Sequence, residues 1–305
     1  NFANKIWNAS RFALMNLGDF DATRPLDPAQ LTTPDRWILT RLSDAAAKAD
    51  AELETFDFGG AASTVYHFFW HELCDWYIEL AKVNLDGPGR AATQHTIRTV
   101  LDGALRLLHP FMPHLTEEIW QRLPRLPSDR EALMVSSFRL TGLPRFDAEA
   151  QRLTAVIAVI EGIRTIRGEN NIPPKKPLTV TLNLDANANA SAYETERALI
   201  EKLGGIETLT FTTAQPPPKG VAVARAGDVE VIVLLEGLVD LGEERKRLEK
   251  VIQKLDQEVG RLQGKLGGSS FVERAPADVV AKEREKLAQL EADRATAQVA
   301  LSRLS

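Results

Sequence analysis

Along the first 125 residues, apolar side chains recur every three or four positions, which is the spacing of one face of a helix. Glycine, proline and acidic residues interrupt this repeat and mark loops. The segments between the interruptions predict four helices, over residues 1–17, 33–49, 56–85 and 91–108. The short connections between successive helices indicate a bundle.

The stretch LLHPFMPHLTEEIW, residues 107–120, breaks the fourth helix and starts a fifth. Pro110 and Pro113 push the residues before them out of helical geometry, so the fourth helix should end near Leu108. Thr116 is followed by Glu117 and Glu118 and therefore suits a helix start, because acidic side chains are stabilised by the positive end of the helix dipole. The two histidines of the stretch have no nucleophile beside them, so we predict a structural corner without acid–base chemistry.

Beyond residue 146 the period of the pattern changes. After a helix at 147–168, several short segments alternate apolar and polar residues in the way that half-buried strands do. They predict strands over 177–184, 206–212, 220–226 and 228–235, with a short helix at 192–203.

From Leu238 onward, apolar side chains occupy the alternating positions of a heptad repeat. Gly-Gly-Ser-Ser after Leu266 breaks the repeat, and a second run extends from Val280 to Leu304. Two such runs joined by a short break predict an antiparallel pair of helices. The predicted fold is thus mainly α, with a helical bundle over 1–145, a small α+β domain over 146–236 and an antiparallel two-helix coiled-coil arm over 237–305.

Composition narrows the class of protein. The 305 residues carry a net charge of −5, which excludes a broadly basic nucleic-acid binder but leaves room for a local positive site. The single cysteine, Cys74, excludes a disulfide framework and fits a reducing compartment, so we expect a cytoplasmic protein. No apolar run has membrane-spanning length, and a start at Asn1 without Met, inside a predicted helix, indicates a fragment.

Candidate catalytic and metal-binding groups are weak. His67 and His71 lie four residues apart on one helix face, a spacing that can hold a metal, but no third ligand stands at a suitable position. We interpret this pair as structural, and Cys74 as a small core residue. No phosphate-binding loop follows a predicted strand. The residues therefore predict neither a catalytic nor a metal site.

The first helix carries a set of side chains that suits single-stranded RNA. Lys5, Asn8, Arg11 and Phe12 fall on one side of it, because spacings of three and four share a helix face. Cations hold phosphates, an amide pairs with a base edge, and an aromatic ring stacks on a base. The alternative is that Phe12 belongs to the core and the polar residues form an ordinary solvated face.

The predicted arm offers a second candidate surface, formed by Arg261, Lys265, Arg284 and Lys286. These side chains could contact phosphates along a rod. The acidic and basic residues of the segment are nearly equal in number, so an ordinary solvated coiled coil explains the charges equally well.

Several strings together resemble the C-terminal half of the valyl-tRNA synthetases, class I aminoacyl-tRNA synthetases that join valine to its tRNA. They are NFANKIWNASRF, FFWHELCDWYIELAK, HPFMPHLTEEIW, IRTIRGENNIPPKKP and KLGGSSFVERAPADVVAKEREKLAQLE. The resemblance covers essentially the whole chain in the order of that family: anticodon-binding domain, connecting domain and coiled coil.

The resemblance implies that Lys5, Asn8, Arg11 and Phe12 face the anticodon loop and that the arm packs on the elbow of a valine-specific tRNA. It also implies a monomer with no DNA or membrane partner. The HIGH-like and KMSKS-like motifs of the family and its editing domain are absent from the sequence, so the fragment itself should not be catalytic. ATP and Mg²⁺ would serve the missing catalytic core, and the fragment needs no cofactor.

The residues alone leave a different class of function open. Bundle and coiled coil could serve protein–protein association without RNA, with the heptads pairing between chains.

Overall fold

The computed structural model describes residues 2–23, 26–186, 188–238, 241–267 and 276–304. The chain forms two compact units that divide between Thr154 and Ala155. No helix of the described residues is both long and apolar enough to cross a membrane. The sheet and the helical pair lie in the same compact unit, and the finer division into three domains stays a prediction.

The unit before residue 155 is helical, as the spacing of apolar residues predicts. Its helices are α1 (Phe2–Asn16), α2 (Thr33–Glu54), α3 (Phe58–His67), α4 (Ile78–Leu85), α5 (Arg90–Leu108), α6 (Pro113–Trp120) and the start of α7 (Asp147–Glu169). Short 3₁₀ turns lie at Pro28–Gln30 and Leu133–Val135.

The predicted third helix is continuous but not uniformly α-helical. A π-helical segment, Phe68–Tyr77, joins α3 to α4, and the residues at both joints keep right-handed helical geometry. The wider π turn changes which side chains face the core, and Phe68, Phe69, Leu73, Trp76 and Tyr77 are all buried there.

A capping box starts α2, and its acid also joins the core. Asp35 accepts a hydrogen bond from the backbone N–H of Thr32, whose hydroxyl oxygen faces the Asp35 N–H in return. The same carboxylate is fully buried and accepts from the hydroxyls of Tyr77 at 2.7 Å and Thr93 at 3.1 Å. Burial raises the pKa of Tyr77 well above its ordinary value, so its hydroxyl stays a donor. Three separate helical segments therefore meet at Asp35.

The corner between α5 and α6 corrects one expectation. Helix α5 ends at Leu108 as predicted, but α6 begins at Pro113, not at Thr116. Proline is favoured at the first position of a helix because its missing N–H would be unpaired there anyway. Thr116 lies inside α6, donates back to the Met112 carbonyl at 2.9 Å and lies 2.7 Å from Nδ1 of His109. The corner histidine thus has a structural partner.

The second unit contains a four-stranded sheet. Its strands are β1 (Leu178–Leu184), β2 (Ile206–Thr213), β3 (Val221–Ala226) and β4 (Val229–Leu234), in the order β2-β1-β4-β3. β1 pairs with β2 in parallel, across a connection through the short helices α8 (Ala190–Thr195) and α9 (Arg197–Gly204), and the other pairs are antiparallel. The predicted four strands and their α+β setting are confirmed, whereas the one short helix predicted over 192–203 is divided at Glu196 into α8 and α9.

The two heptad runs form a pair of helices, α10 (Leu241–Gly267) and α11 (Ala277–Leu304). Lys265 bonds to Glu283, and Asp256 bonds to Arg294, so residue numbers rise along one helix as they fall along the other. The pair is therefore antiparallel, as predicted. The buried side chains of the pair are Leu248, Val259, Leu262, Val280 and Ala297. Most of the predicted Gly-Gly-Ser-Ser break lies outside the described residues.

The far end of α11 contacts the sheet. Its last turns lie against β3, and Gly220, next to that strand, donates its N–H to the carbonyl of Arg303 at 2.8 Å. The arm is thus joined to an edge strand of the sheet inside the second unit.

Candidate nucleic-acid interface

Helix α1 buries one face and exposes the other. Ile6, Ala9 and Ala13 are buried against the bundle, which fixes the rotation of the helix about its axis. The exposed face carries side chains at spacings of three and four: Asn4, Asn8, Arg11 and Met15. We call this face the α1 strip. No acidic residue lies on α1.

Two of the predicted RNA-contacting residues lie in the α1 strip. Asn8 and Arg11 are exposed, and Arg11 makes no hydrogen bond or ion pair with the residues that the structure describes. An arginine that the fold does not use is available for a phosphate or a base edge.

Lys5 is placed differently, because the fold already holds its ammonium group. Nζ lies 2.5 Å from Oδ1 of Asp75 and 3.8 Å from the ring centroid of Trp70. This combination of ion pair and cation–π contact ties α1 to the π-helical segment. Any contact of Lys5 with RNA has to compete with both partners.

Phe12 lies at the border between core and surface. Its half-buried ring lines a small apolar cavity together with Ala9, Leu73 and Leu101, while Nζ of Lys82 lies 5.6 Å from the ring centroid. The ring is therefore partly in the core and partly at the surface. Stacking of Phe12 on a base stays a prediction.

One residue beside the strip was missed by the sequence analysis. Trp7 is 39% exposed, and the guanidinium carbon of Arg122 lies 5.5 Å from its ring centroid. The signal was present in the sequence, since residues 4, 7, 8 and 11 share a helix face, but a tryptophan at such a spacing is more often part of the core.

Two histidines pack on one another, His67 at the end of α3 and His71 in the π-helical segment. The rings of His67 and His71 stack at a centroid distance of 5.4 Å, and Nδ1 of His71 lies 3.2 Å from Oδ2 of Asp75. Tyr66 and Trp70 form a second stacked pair beside them. These contacts give the histidines a structural role on an aromatic surface.

Cys74 is half-buried in the π-helical segment, and burial raises the pKa of its thiol to about 12. The thiol is therefore protonated at neutral pH, and its contribution to folding is present below its ordinary pKa and lost as the pH rises toward 12.

We expect iodoacetamide to alkylate Cys74 at pH 8 at least about 100-fold more slowly in the native chain than in urea, because the thiolate is the nucleophile. Mass spectrometry of timed samples measures both rates, and equal rates would contradict the burial.

One of the four predicted arm residues is ion-paired within the fold, and the other three have no ion pair among the residues that the structure describes. Lys265 is held, because its Nζ lies 3.0 Å from Oε1 of Glu283 on α11. Arg261, Arg284 and Lys286 are exposed and have no ion-pair partner among the residues that the structure describes. Their contacts with tRNA stay predictions.

The outer side of α10 carries a line of cations, of which only Arg261 is among the predicted arm residues. Lys246, Lys250, Lys254 and Arg261 are all exposed and follow one another at multiples of about one helical turn, on the side away from buried Leu248. We call these four residues the α10 cation line. Within the described part of the chain none of them forms an ion pair. Their spacing of four, four and seven residues in the sequence could have indicated this line.

Comparison with protein families finds two matches. A model described as the anticodon-binding domain of tRNA ligase matches residues 35–182, and one described as the valyl tRNA synthetase tRNA binding arm matches residues 240–305. The second match coincides with α10 and α11. Helix α1 lies outside both matched ranges.

Individual relatives agree with these models. The chain is 45% identical to the valine–tRNA ligase of Syntrophotalea carbinolica over 298 residues, which are 95% of the chain and 33% of the relative. It is 45% identical to that of Geobacter sulfurreducens over 301 residues, with the same shares, and 40% identical to that of Thermotoga maritima over 287 residues, 94% of the chain and 32% of the relative. The chain thus spans about a third of the length of the curated relatives that it matches.

Proposed function

The chain belongs to the valine–tRNA ligase family, to whose C-terminal part it corresponds, and on this premise we propose that it binds a valine-specific tRNA through surfaces on both of its units. The α1 strip contacts the anticodon loop, and the helical arm contacts the elbow of the tRNA. The ligase reaction, with its ATP and Mg²⁺, belongs to the parts of the relatives that this chain does not span. We further propose a cytoplasmic monomer.

The observation that carries this proposal is the α10 cation line within the matched arm. Four cations on one side of a helix, none of them ion-paired with the residues that the structure describes, form a surface for a polyanion, although the chain as a whole carries a net charge of −5. The partner is therefore selected by the local placement of charge and not by the overall charge.

Filter binding of valine tRNA at 50 and 200 mM salt tests the proposal. We expect binding that weakens steeply with salt, because phosphate contacts release counterions, and a preference for valine tRNA over tRNAs of other specificity. If binding shows neither salt dependence nor preference, the rival function as a protein-association module is favoured. Sedimentation then decides, since intermolecular pairing of the heptads predicts a concentration-dependent dimer that is lost on deleting 240–305.

Arg11→Ala tests the anticodon half of the proposal. We expect binding of the isolated anticodon stem-loop to weaken by ~1.5–3 kcal/mol, because Arg11 has no other partner in the described chain and a hydrogen bond to a charged group contributes about this much. The melting temperature should stay that of the wild type. The control is Lys48→Ala, an exposed cation on α2 away from the strip. Equal binding by the Arg11 and Lys48 variants would exclude α1 as the anticodon surface.

A further inference from the structure

The α1 strip is bordered by an aromatic ring on each side. Trp7 and Phe12 are five residues apart, which places them about 140° apart around the helix. Asn4, Asn8 and Arg11 lie on the exposed surface between them. Each ring also has a cation beside it, Arg122 at Trp7 and Lys82 at Phe12. The two borders of the strip are chemically alike.

Trp7 is held in place by the fold and still exposed. Arg122 donates from Nε to Oε1 of Glu118 at 3.1 Å, so the guanidinium beside the indole is itself anchored by a carboxylate one turn earlier. Trp37, Trp76 and Trp120 are buried, and Trp70 is half-buried beneath Lys5. Trp7 is therefore the most exposed indole of the chain. Tryptophan is enriched among the residues that dominate binding interfaces, so an exposed indole with a cation beside it is a candidate binding residue.

The surroundings of Trp7 favour a nucleobase over a protein segment. The strip beside it offers two amides and one arginine, which pair with base edges and phosphates, and α1 has no acid that would repel RNA. The carboxylate beside Arg122, that of Glu118, is occupied by the guanidinium. Aromatic rings with adjacent cations are the standard support for unstacked bases in single-stranded RNA.

We propose that Trp7 is a second stacking position for an unpaired base of the RNA, on the border of the strip opposite Phe12. Arg122 orients the indole and adds positive charge near the backbone of the bound nucleotide. This inference rests on the proposed function, because it names a further contact of the same α1 surface. Two borders with one ring each would grip the loop from both sides of the helix.

The test compares Trp7→Leu and Trp7→Phe in the full 305-residue chain, with a fluorescein-labelled anticodon stem-loop of valine tRNA as the probe. Leucine keeps an apolar side chain but has no ring, so we expect affinity to fall roughly 5- to 100-fold. Phenylalanine keeps a ring, and affinity should stay within about threefold of wild type. Phe58→Leu removes another exposed ring of the same unit and should leave affinity unchanged. Wild-type affinity for Trp7→Leu overturns the proposal.

A double-mutant cycle identifies the stacked base. Abasic residues are placed one at a time in the loop of the RNA, and each RNA is measured against wild type and Trp7→Leu. At one position the two losses should not add, because the ring and the base are partners in a single contact. Full additivity at every loop position contradicts stacking, and it leaves the exposed indole to a protein partner.

Tryptophan fluorescence provides a readout that does not depend on the folding of Trp7→Leu. Stacking on a base should quench the emission of the wild-type chain when the stem-loop binds, and the quenching should disappear in Trp7→Phe. Binding without such a difference overturns the proposal. If the wild-type chain binds no stem-loop at all, the proposed function fails first, and the two failures are thereby distinguished.

Discussion

Replacing the four residues of the α10 cation line with glutamine is expected to weaken binding of intact valine tRNA by roughly 100-fold at 0.1 M salt. The slope of log affinity against log salt should fall by about 3, because each phosphate contact contributes about 0.7–0.9 to that slope. Consecutive cations of the line at one-turn spacing are about 6 Å apart along the helix axis. Filter binding of intact tRNA over a range of salt concentrations measures both quantities.

The specificity of this effect can be checked on the neighbouring helix. Glutamine at Lys282, Arg284 and Lys286 removes three exposed cations from α11, and we expect a smaller loss of affinity because these residues do not form a single line. Binding of the isolated anticodon stem-loop should be unchanged in both variants. Equal losses for stem-loop and intact tRNA would place the arm contact away from the elbow, and wild-type affinity of the α10 variant for intact tRNA would contradict a role for the line itself.

Asp35→Ala should lower the free energy of unfolding of the first unit by about 3 kcal/mol or more. The substitution leaves the buried hydroxyls of Tyr77 and Thr93 without their acceptor, at ~1–3 kcal/mol each, and removes half of a capping box. Urea unfolding followed by tryptophan fluorescence measures the loss. All tryptophans of the chain precede residue 155, so the signal reports the first unit alone.

The matched control for this effect is another aspartate of α2. Asp44 bonds to Arg41 and Arg145 at the surface, where ion pairs contribute little, and Asp44→Ala should cost less than about 1 kcal/mol. Tyr77→Phe removes one donor and leaves the carboxylate in place, so its cost should lie between the two aspartate variants. A stable Asp35→Ala chain, within 1 kcal/mol of wild type, would show that the buried network does not support the fold.

The fold was accessible from the sequence because the apolar spacing changes its period twice along the chain. The segments with helical, strand and heptad spacing form helices, strands and a helical pair, as predicted. The strands β1 and β4 lie within two residues of their expected bounds. Two local features of the helical unit could not be predicted from the sequence. The π-helical segment inserts into a helix whose average spacing stays close to that of an α-helix. At the corner, the preference of Pro113 for the first helical position outweighed the suitability of Thr116 as a start.

The candidate surfaces were accessible only in part, because local spacing shows which side chains share a face but not which partners reach them. Arg11 is exposed as its spacing indicates, whereas Lys5 is held by Asp75, which is seventy positions away in the chain. In the arm, Glu283 holds Lys265 in the same way across the helical pair. The available cations, including Lys250 and Lys254, became clear once the buried side of α10 was known.

The contact between α11 and β3 gives the arm a task that does not involve RNA. β3 is an edge strand, and an open edge exposes backbone groups that can pair with another chain and start aggregation. The last turns of α11 lie against this strand, and Arg303 already occupies the N–H of the adjacent Gly220. The C-terminal end of the arm lies against β3 and uses one backbone donor beside it, so we expect that its removal would leave this edge more open to pairing with another chain.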